Sequence, residues 1–329
     1  MNDINIDNLA PVAVFAYNRL DKIKACIEAL GRCDLARHTE VFIFADGYKS
    51  EKDREQVEAV HSWLQDFSQG TVRDDISYSA SVNDFKNVSL EIKAQNAGLA
   101  SSIITGVTSL MNNYGHAIVV EDDLIVSPVF LRYMNEGLNF YKDSENIWAI
   151  ASYGYELKAL NHYDHDVYMG YRASSWGWAS WKDRWDTVDW DVSDYNKLVN
   201  SPDLQKLFCR GGGDLYPMLQ RQMRGESDSW AIRWNYAASR QDKLTVYPKY
   251  GLSSNSGFDG SGTHSGLKGP EESLKKDLKK VKFEHLPLDK RITREFYLLH
   301  TDTLDKKIKR NASLKGIIKI LKRILTRSK

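Results

Sequence analysis

From Pro11 onward the chain alternates short apolar runs with stretches whose apolar residues recur every three or four positions. VAVFA (Val12 to Ala16) predicts a strand, and Leu20, Ile23, Ile27 and Leu30 behind it predict a helix with one apolar face. VFIFA (Val41 to Ala45) repeats the strand signal and ends in Asp46-Gly47, with Val57, Val60, Leu64 and Phe67 marking the next helix. A third strand around Val88 to Ala94 leads through Asn96 and Gly98 into a helix carrying Leu99, Ile103, Val107 and Leu110. The fourth run, Ala117 to Val120, leads straight into Glu121, Asp122 and Asp123. Strands alternating with helices predict an α/β fold with a parallel sheet and right-handed crossovers.

Beyond about Ala151 the pattern loses its period. YMGYRASSWGWASWKDRWDTVDWD holds five of the nine tryptophans. Indole faces stack on the C–H faces of sugar rings, and the indole N–H is a directed donor. Two readings therefore stand together, a sugar-binding surface and a tryptophan-rich core beneath a loop region. Trp230, Trp234 and Ala237 fall at helical spacing, and a strand is expected at the start of the stretch Val246 to Gly266. The rest of that stretch is rich in glycine and serine and predicts a mobile loop able to order over a ligand. From Asp305 a basic amphipathic helix is expected, with Leu314, Ile317, Ile318, Leu321, Ile324 and Leu325 on one face. It suits an anionic membrane surface or a docking groove, and its excess of positive charge favours the membrane.

Composition narrows the partners. A net charge of +1 lacks the basic face that a general nucleic-acid binder needs. Three cysteines, Cys26, Cys33 and Cys209, are too few and too scattered for a disulfide framework or a zinc site, and fit a reducing cytoplasm. The start, MNDINIDNLAPVAV, has no basic segment followed by a long apolar one, so a secretory leader is not expected.

The chemistry concentrates in AIVVEDDLIVSP (Ala117 to Pro128). A β-branched run ending in Ser-Pro reads as a buried strand whose carboxyl end opens into a loop, the edge at which open α/β sheets bind ligands. Three adjacent acids repel one another unless a cation sits among them, and hard oxygen ligands suit Mg²⁺ or Mn²⁺ held jointly with a diphosphate; a solvated acidic turn is the other reading. In GESDSWAIRWNYAASRQ, Asp228 stands just ahead of the helical pattern, where it fits a helix N-cap or a general base, with Glu226 the next candidate. His264, in the glycine-rich loop, fits a solvated position or a contact to a diphosphate or metal. Neither a GxGxxG turn nor a P-loop occurs.

These motifs together resemble the GT-A glycosyltransferases, and within them the eukaryotic N-acetylglucosaminyltransferase I family, over roughly Pro11 to His264. The block AIVVEDDLIVSPVFLRYM is similar to that family's EDDL strand and the helix after it, and VAVFAYNRLDKIKACIEAL to its first strand and turn. The resemblance implies that Asp123 ligates the metal, Asp122 contacts the nucleotide and Glu121 the donor sugar. It further implies Arg19 at the phosphates, Asp46 at the uracil and Asp228 as base. SSWGWASW would place Trp176, Gly177 and Trp178 near donor and acceptor, with His264 at the diphosphate or metal shell.

What the resemblance implies is an inverting transferase using Mn²⁺ or Mg²⁺, a nucleotide-sugar donor, expected to be UDP-linked, and a glycan or lipid-linked acceptor. The expected organisation is a nucleotide-sugar-binding half over 1–150, an acceptor-binding and catalytic-base half over 151–285, and a basic tail over 286–329. That tail predicts a cytoplasmic enzyme lying against the inner face of the membrane. A departure is Asp228-Ser229, where the family usually has a double acid. A non-catalytic carbohydrate-binding protein and a sugar-nucleotide pyrophosphorylase are the alternatives; the latter would need a glycine-rich phosphate loop after the first strand, where YNRLD stands.

Overall fold

The computed structural model describes residues 4–71, 80–257 and 280–301. Its elements run β1 (Val12–Ala16), α1 (Leu20–Gly31), β2 (Glu40–Ala45), α2 (Arg54–Ser68), β3 (Asn87–Ile92), α3 (Leu99–Tyr114) and β4 (His116–Glu121). They continue through β5 (Leu124–Val126), α4 (Phe130–Tyr141), β6 (Ile147–Ala151), β7 (Val167–Gly170), β8 (Trp178–Trp181) and α5 (Lys182–Trp185). The remainder comprises α6 (Tyr195–Val199), α7 (Pro202–Phe208), α8 (Leu215–Met223), α9 (Trp230–Arg240), β9 (Leu244–Pro248), β10 (Ser253–Asn255) and α10 (Lys290–Leu299).

Eight strands form one sheet in the order β3-β2-β1-β4-β8-β6-β9-β7. Alternation along β1 shows why the sheet is covered on both faces. Val12 and Val14 pack with Ile23 and Ile27 of α1 and Leu64 of α2, while Ala13 and Phe15 pack with Ile103 and Val107 of α3 and Trp234 of α9. A strand buried on both faces reads as a continuous apolar run, as VAVFA does. Phe15 and Phe44 stack at 5.1 Å, fixing neighbouring strands beneath α3.

The β3-β2-β1-β4 half is parallel, as the sequence order implies. The sheet as a whole is mixed, because β8 runs antiparallel to both β4 and β6, and β7 antiparallel to β9. Apolar periodicity reports which residues are buried but not strand direction, and WASW is too short to announce a reversal. Antiparallel β8 opposes Trp178 to Val119 and to Ala151, so the turn before it opens at the carboxyl edge of β4 and β6. The boundary expected at residue 150 falls inside β6, and the two halves share this sheet.

The stretch read as one strand and a loop holds a second strand, β10, among its described residues. β5 follows the acidic triplet and pairs antiparallel with β10, which lies inside the glycine- and serine-rich stretch. The start of the tail docks on the body, since α10 buries Ile292 and Phe296 against Tyr168 and Tyr247. The basic amphipathic segment beyond residue 301 lies outside the described residues. Among the described residues no helix is long and apolar enough to cross a membrane.

Candidate active site at the carboxyl edge of the sheet

Register places the acidic triplet: Glu121 pairs opposite Phe15 at the end of β1, and the Asp122 N–H donates to the Phe15 carbonyl at 3.0 Å. Of the three carboxylates only Glu121 lies on β4; Asp122 and Asp123 stand in the turn between β4 and β5. The charge between two of them belongs to Arg19. Its Nη2 bonds Asp122 Oδ1, and its Nη1 lies 3.1 Å from Asp123 Oδ2. The Asp122 side chain is 4% exposed and that of Asp123 13%, so Asp123 is the one nearer the rim.

Burial dominates the electrostatics. It pushes the Glu121 carboxyl up to about 8, with Asp123 and Asp122 adding to the rise and Arg19 opposing it. Asp122 rises to about 6 because burial outweighs the guanidinium beside it. Burial also works against the Arg19 charge, but Asp122 and Asp123 prevail and hold its pKa above the ordinary value. The arrangement is a desolvated anion–cation cluster at a strand end, which an incoming anion or cation would repartition.

A strap from β10 closes over this cluster. Ser256 donates through its N–H and its hydroxyl to the Asp123 carbonyl at 2.8 and 2.9 Å, and Asn255 Nδ2 donates to Asp123 Oδ1 at 3.2 Å. Lys22 Nζ donates to the Ser256 carbonyl at 3.0 Å. Gly257 lies so close that a Cβ there would stand 2.6 Å from Asp123 Oδ2 and 3.1 Å from Arg19 Nη1. The sequence reading missed Asn255, Ser256 and Gly257; the signal available was a Ser-Asn-Ser-Gly run soon after a strand.

Beside the strap, the turn into β8 is locked. Gly177 has φ +77, and a Cβ there would meet Ser152 Oγ at 2.3 Å. Ser152 donates its N–H to the Gly177 carbonyl at 2.9 Å and its hydroxyl lies 2.7 Å from Ser253 Oγ, while Ser253 Oγ donates to the Trp176 carbonyl at 2.9 Å. Trp176 is partly exposed and meets Tyr153 edge-on at 4.7 Å.

Trp178 has a different environment, and its placement corrects the expectation that it lines the cleft. It is 1% exposed and stacks on Trp185 and Trp230. With Trp148 and Trp234 these rings form a core beneath the sheet, so most of the tryptophan density is packing. The sugar-facing possibility narrows to Trp176 and the backbone of Gly177.

Asp46 stands one residue past β2 at the same edge, and its carboxylate is engaged by backbone. Oδ1 accepts from Gly47 and Ala97 at 3.0 and 2.8 Å, and Oδ2 accepts from Gly98 at 3.0 Å. In this structure Asp46 ties the loop after β2 to the loop after β3. Asp228 comes close to the same loop: its Oδ2 lies 4.0 Å from where a Gly98 Cβ would stand. Capping does not explain it, because the N-cap of α9 is Ser229, whose hydroxyl accepts from the Ile232 N–H. Asp228 instead takes a 2.8 Å bond from Arg233, a residue the sequence reading did not single out. Glu226 is exposed and held by Arg224. His264 lies outside the described residues.

Among the described residues no group of three or more His, Cys, Asp or Glu side chains is disposed to hold a metal ion by itself. No family profile matches the chain, and no curated protein matches it. Among solved structures, the crystal structure of an apo UDP-glucose pyrophosphorylase overlaps 74% of this chain and 91% of its own at 10% identity, with a TM-score of 0.38. An overlap that loose does not transfer an activity. The α/β architecture with its mixed, helix-flanked sheet rests on the strands and helices described above.

Proposed function

We propose that the chain is an inverting glycosyltransferase of GT-A type, moving a sugar from a nucleotide donor, expected to be UDP-linked, to a hydroxyl acceptor such as a lipid-linked or surface-glycan precursor. One observation carries this reading. Arg19 with Asp122 and Asp123, a charged group suited to a diphosphate, shares the carboxyl edge of one sheet with Asp228, a separate solvated carboxylate. Such edges are where open α/β sheets take ligands.

In this proposal Arg19 holds the leaving diphosphate, and Asp122 keeps Arg19 in place while facing the nucleotide. Asp228 takes the acceptor hydroxyl proton as that oxygen bonds the anomeric carbon and the bond to the diphosphate breaks. Glu121 and the Trp176-Gly177 turn flank the donor sugar, and Asp46 shapes the nucleobase end through the loops it joins. The donor set fits a divalent cation only when shared: Asp123 offers one rim carboxylate, and Mg²⁺ or Mn²⁺ commonly combines one or two carboxylates with substrate phosphates. Bound there, the ion would neutralise charge developing on the diphosphate. The basic segment beyond residue 301 would hold the enzyme at the inner membrane face, close to a lipid-linked acceptor.

A nucleotide-sugar screen with Mn²⁺ or with chelator, on wild type, Asp123→Ala and Asp228→Asn, tests the reading. Metal-dependent release of nucleoside diphosphate that both substitutions depress supports it; turnover indifferent to chelator and to Asp123→Ala removes the metal assignment. A pyrophosphorylase is the second reading, and it would instead consume pyrophosphate and release nucleoside triphosphate. Against it stands the turn after β1, where Tyr17, Asn18 and Arg19 supply no glycine for a phosphate loop.

A further inference from the structure

Asp228 lies on the surface, with its side chain 63% exposed. An exposed aspartate with nothing to hold it samples several rotamers, and a base that must meet an acceptor hydroxyl loses rate with every orientation that misses. The surroundings of Asp228 remove that freedom. Ser229 N–H donates to Gln222 Oε1 at 2.6 Å, and Ser229 Oγ caps α9, so the backbone on the carboxyl side of Asp228 is fixed. Arg233 then completes the restraint with one planar fork. Its Nε donates to the Ser229 carbonyl at 3.2 Å, its Nη1 to the Trp190 carbonyl at 3.3 Å, and its Nη2 to Asp228 Oδ1 at 2.8 Å. The guanidinium side chain is only 14% exposed, and Trp190, which supplies one anchor, packs on Trp185 at 4.8 Å. Oδ1 is thereby occupied, and Oδ2 lies 4.0 Å from where a Gly98 Cβ would stand, beside the loop that Asp46 holds.

We propose that Arg233 is the positioning residue for Asp228: it binds one carboxylate oxygen and aims the other at the acceptor. This rests on the transferase reading with Asp228 as base. A lysine cannot reproduce a three-bonded fork with one ammonium, so Arg233→Lys should rescue only in part. The alternative is that Arg233 merely ties the Trp190 loop to α9.

Steady-state transfer by wild type, Arg233→Gln, Arg233→Lys, Asp228→Asn and the double variant Asp228→Asn/Arg233→Gln separates the two. Positioning is expected to lower kcat of Arg233→Gln by about 10- to 100-fold, with donor KM within about twofold, and to leave the double variant no slower than Asp228→Asn. Arg233→Gln turning over at the wild-type rate overturns the proposal, as does a double variant whose loss is the product of the single losses. If Arg233→Gln does not fold, Arg233→Lys carries the same comparison. Full activity in Asp228→Asn sinks the base assignment instead, whatever Arg233 does. A crystal structure of Arg233→Gln needs no turnover: several Asp228 rotamers support positioning, and a single rotamer still facing Gly98 overturns it.

Discussion

Asp122 and Asp228 both carry an arginine partner at the same edge of the sheet, yet the two pairs are built differently. Arg19, at the N-cap of α1, and Asp122, just past β4, have side chains 19% and 4% exposed, whereas Asp228, just ahead of α9, is 63% exposed where it meets Arg233. In the first pair both charges are withdrawn from water, so each needs the other. The second leaves its carboxylate exposed to solvent. In the proposed transfer, stabilising charge on a phosphate and accepting a proton have opposite needs for solvent, and these two pairs differ in that respect.

Stability should separate the pairs most. Asp122→Ala leaves Arg19 facing only Asp123 in a buried setting, and breaking a buried ion pair typically costs about 3–5 kcal/mol. Asp228→Ala breaks an exposed pair, where the usual worth is roughly 0–1 kcal/mol. Urea unfolding of the two variants measures the difference directly. Equal losses would mean that the Arg19 pair is as well solvated as the Arg233 pair, and the contrast would collapse.

Catalysis should reverse the order of tolerance. Asp228→Asn is nearly silent for folding but is expected to lower kcat by about 10²-fold or more, the usual worth of a general base. Asp123→Ala, at the rim of the buried cluster, should cost a similar factor, about 10²-fold, by removing an electrostatic stabiliser. Single-turnover transfer with a UDP-sugar distinguishes these from losses in binding. A variant at position 123 with normal kcat would restrict the buried cluster to a structural role.

How much of this edge was legible beforehand follows from the same contrast. Strand ends can be read from apolar runs, so β1, β2, β4 and the positions of Asp46 and Glu121 to Asp123 follow from the pattern alone. Direction cannot be read that way, and β8 therefore turned a parallel sheet into a mixed one and sent Trp178 into the core. Arg19 could be placed after β1 but not beside Asp122, because the contact spans 103 positions of sequence. The strap through Asn255, Ser256 and Gly257 was hidden for a related reason, since its partners are the backbone and side chain of Asp123, far away in the chain.

A smaller effect follows from the cap of α9, the one point at which sequence logic and structure name adjacent residues. Both Asp228 and Ser229 are favoured N-cap types, and only the geometry decides between them. Ser229 Oγ accepts the Ile232 N–H, while Asp228 is turned away toward Arg233 and Gly98. Ser229→Ala should then cost about 1 kcal/mol, the typical worth of a cap, with a lowered Tm and little change in kcat. Asp228→Ala should lower Tm less than Ser229→Ala does while abolishing most turnover. If Asp228→Ala were the more destabilising of the two, the carboxylate would belong to the helix, and the solvated end of the edge would lose its claim to proton transfer.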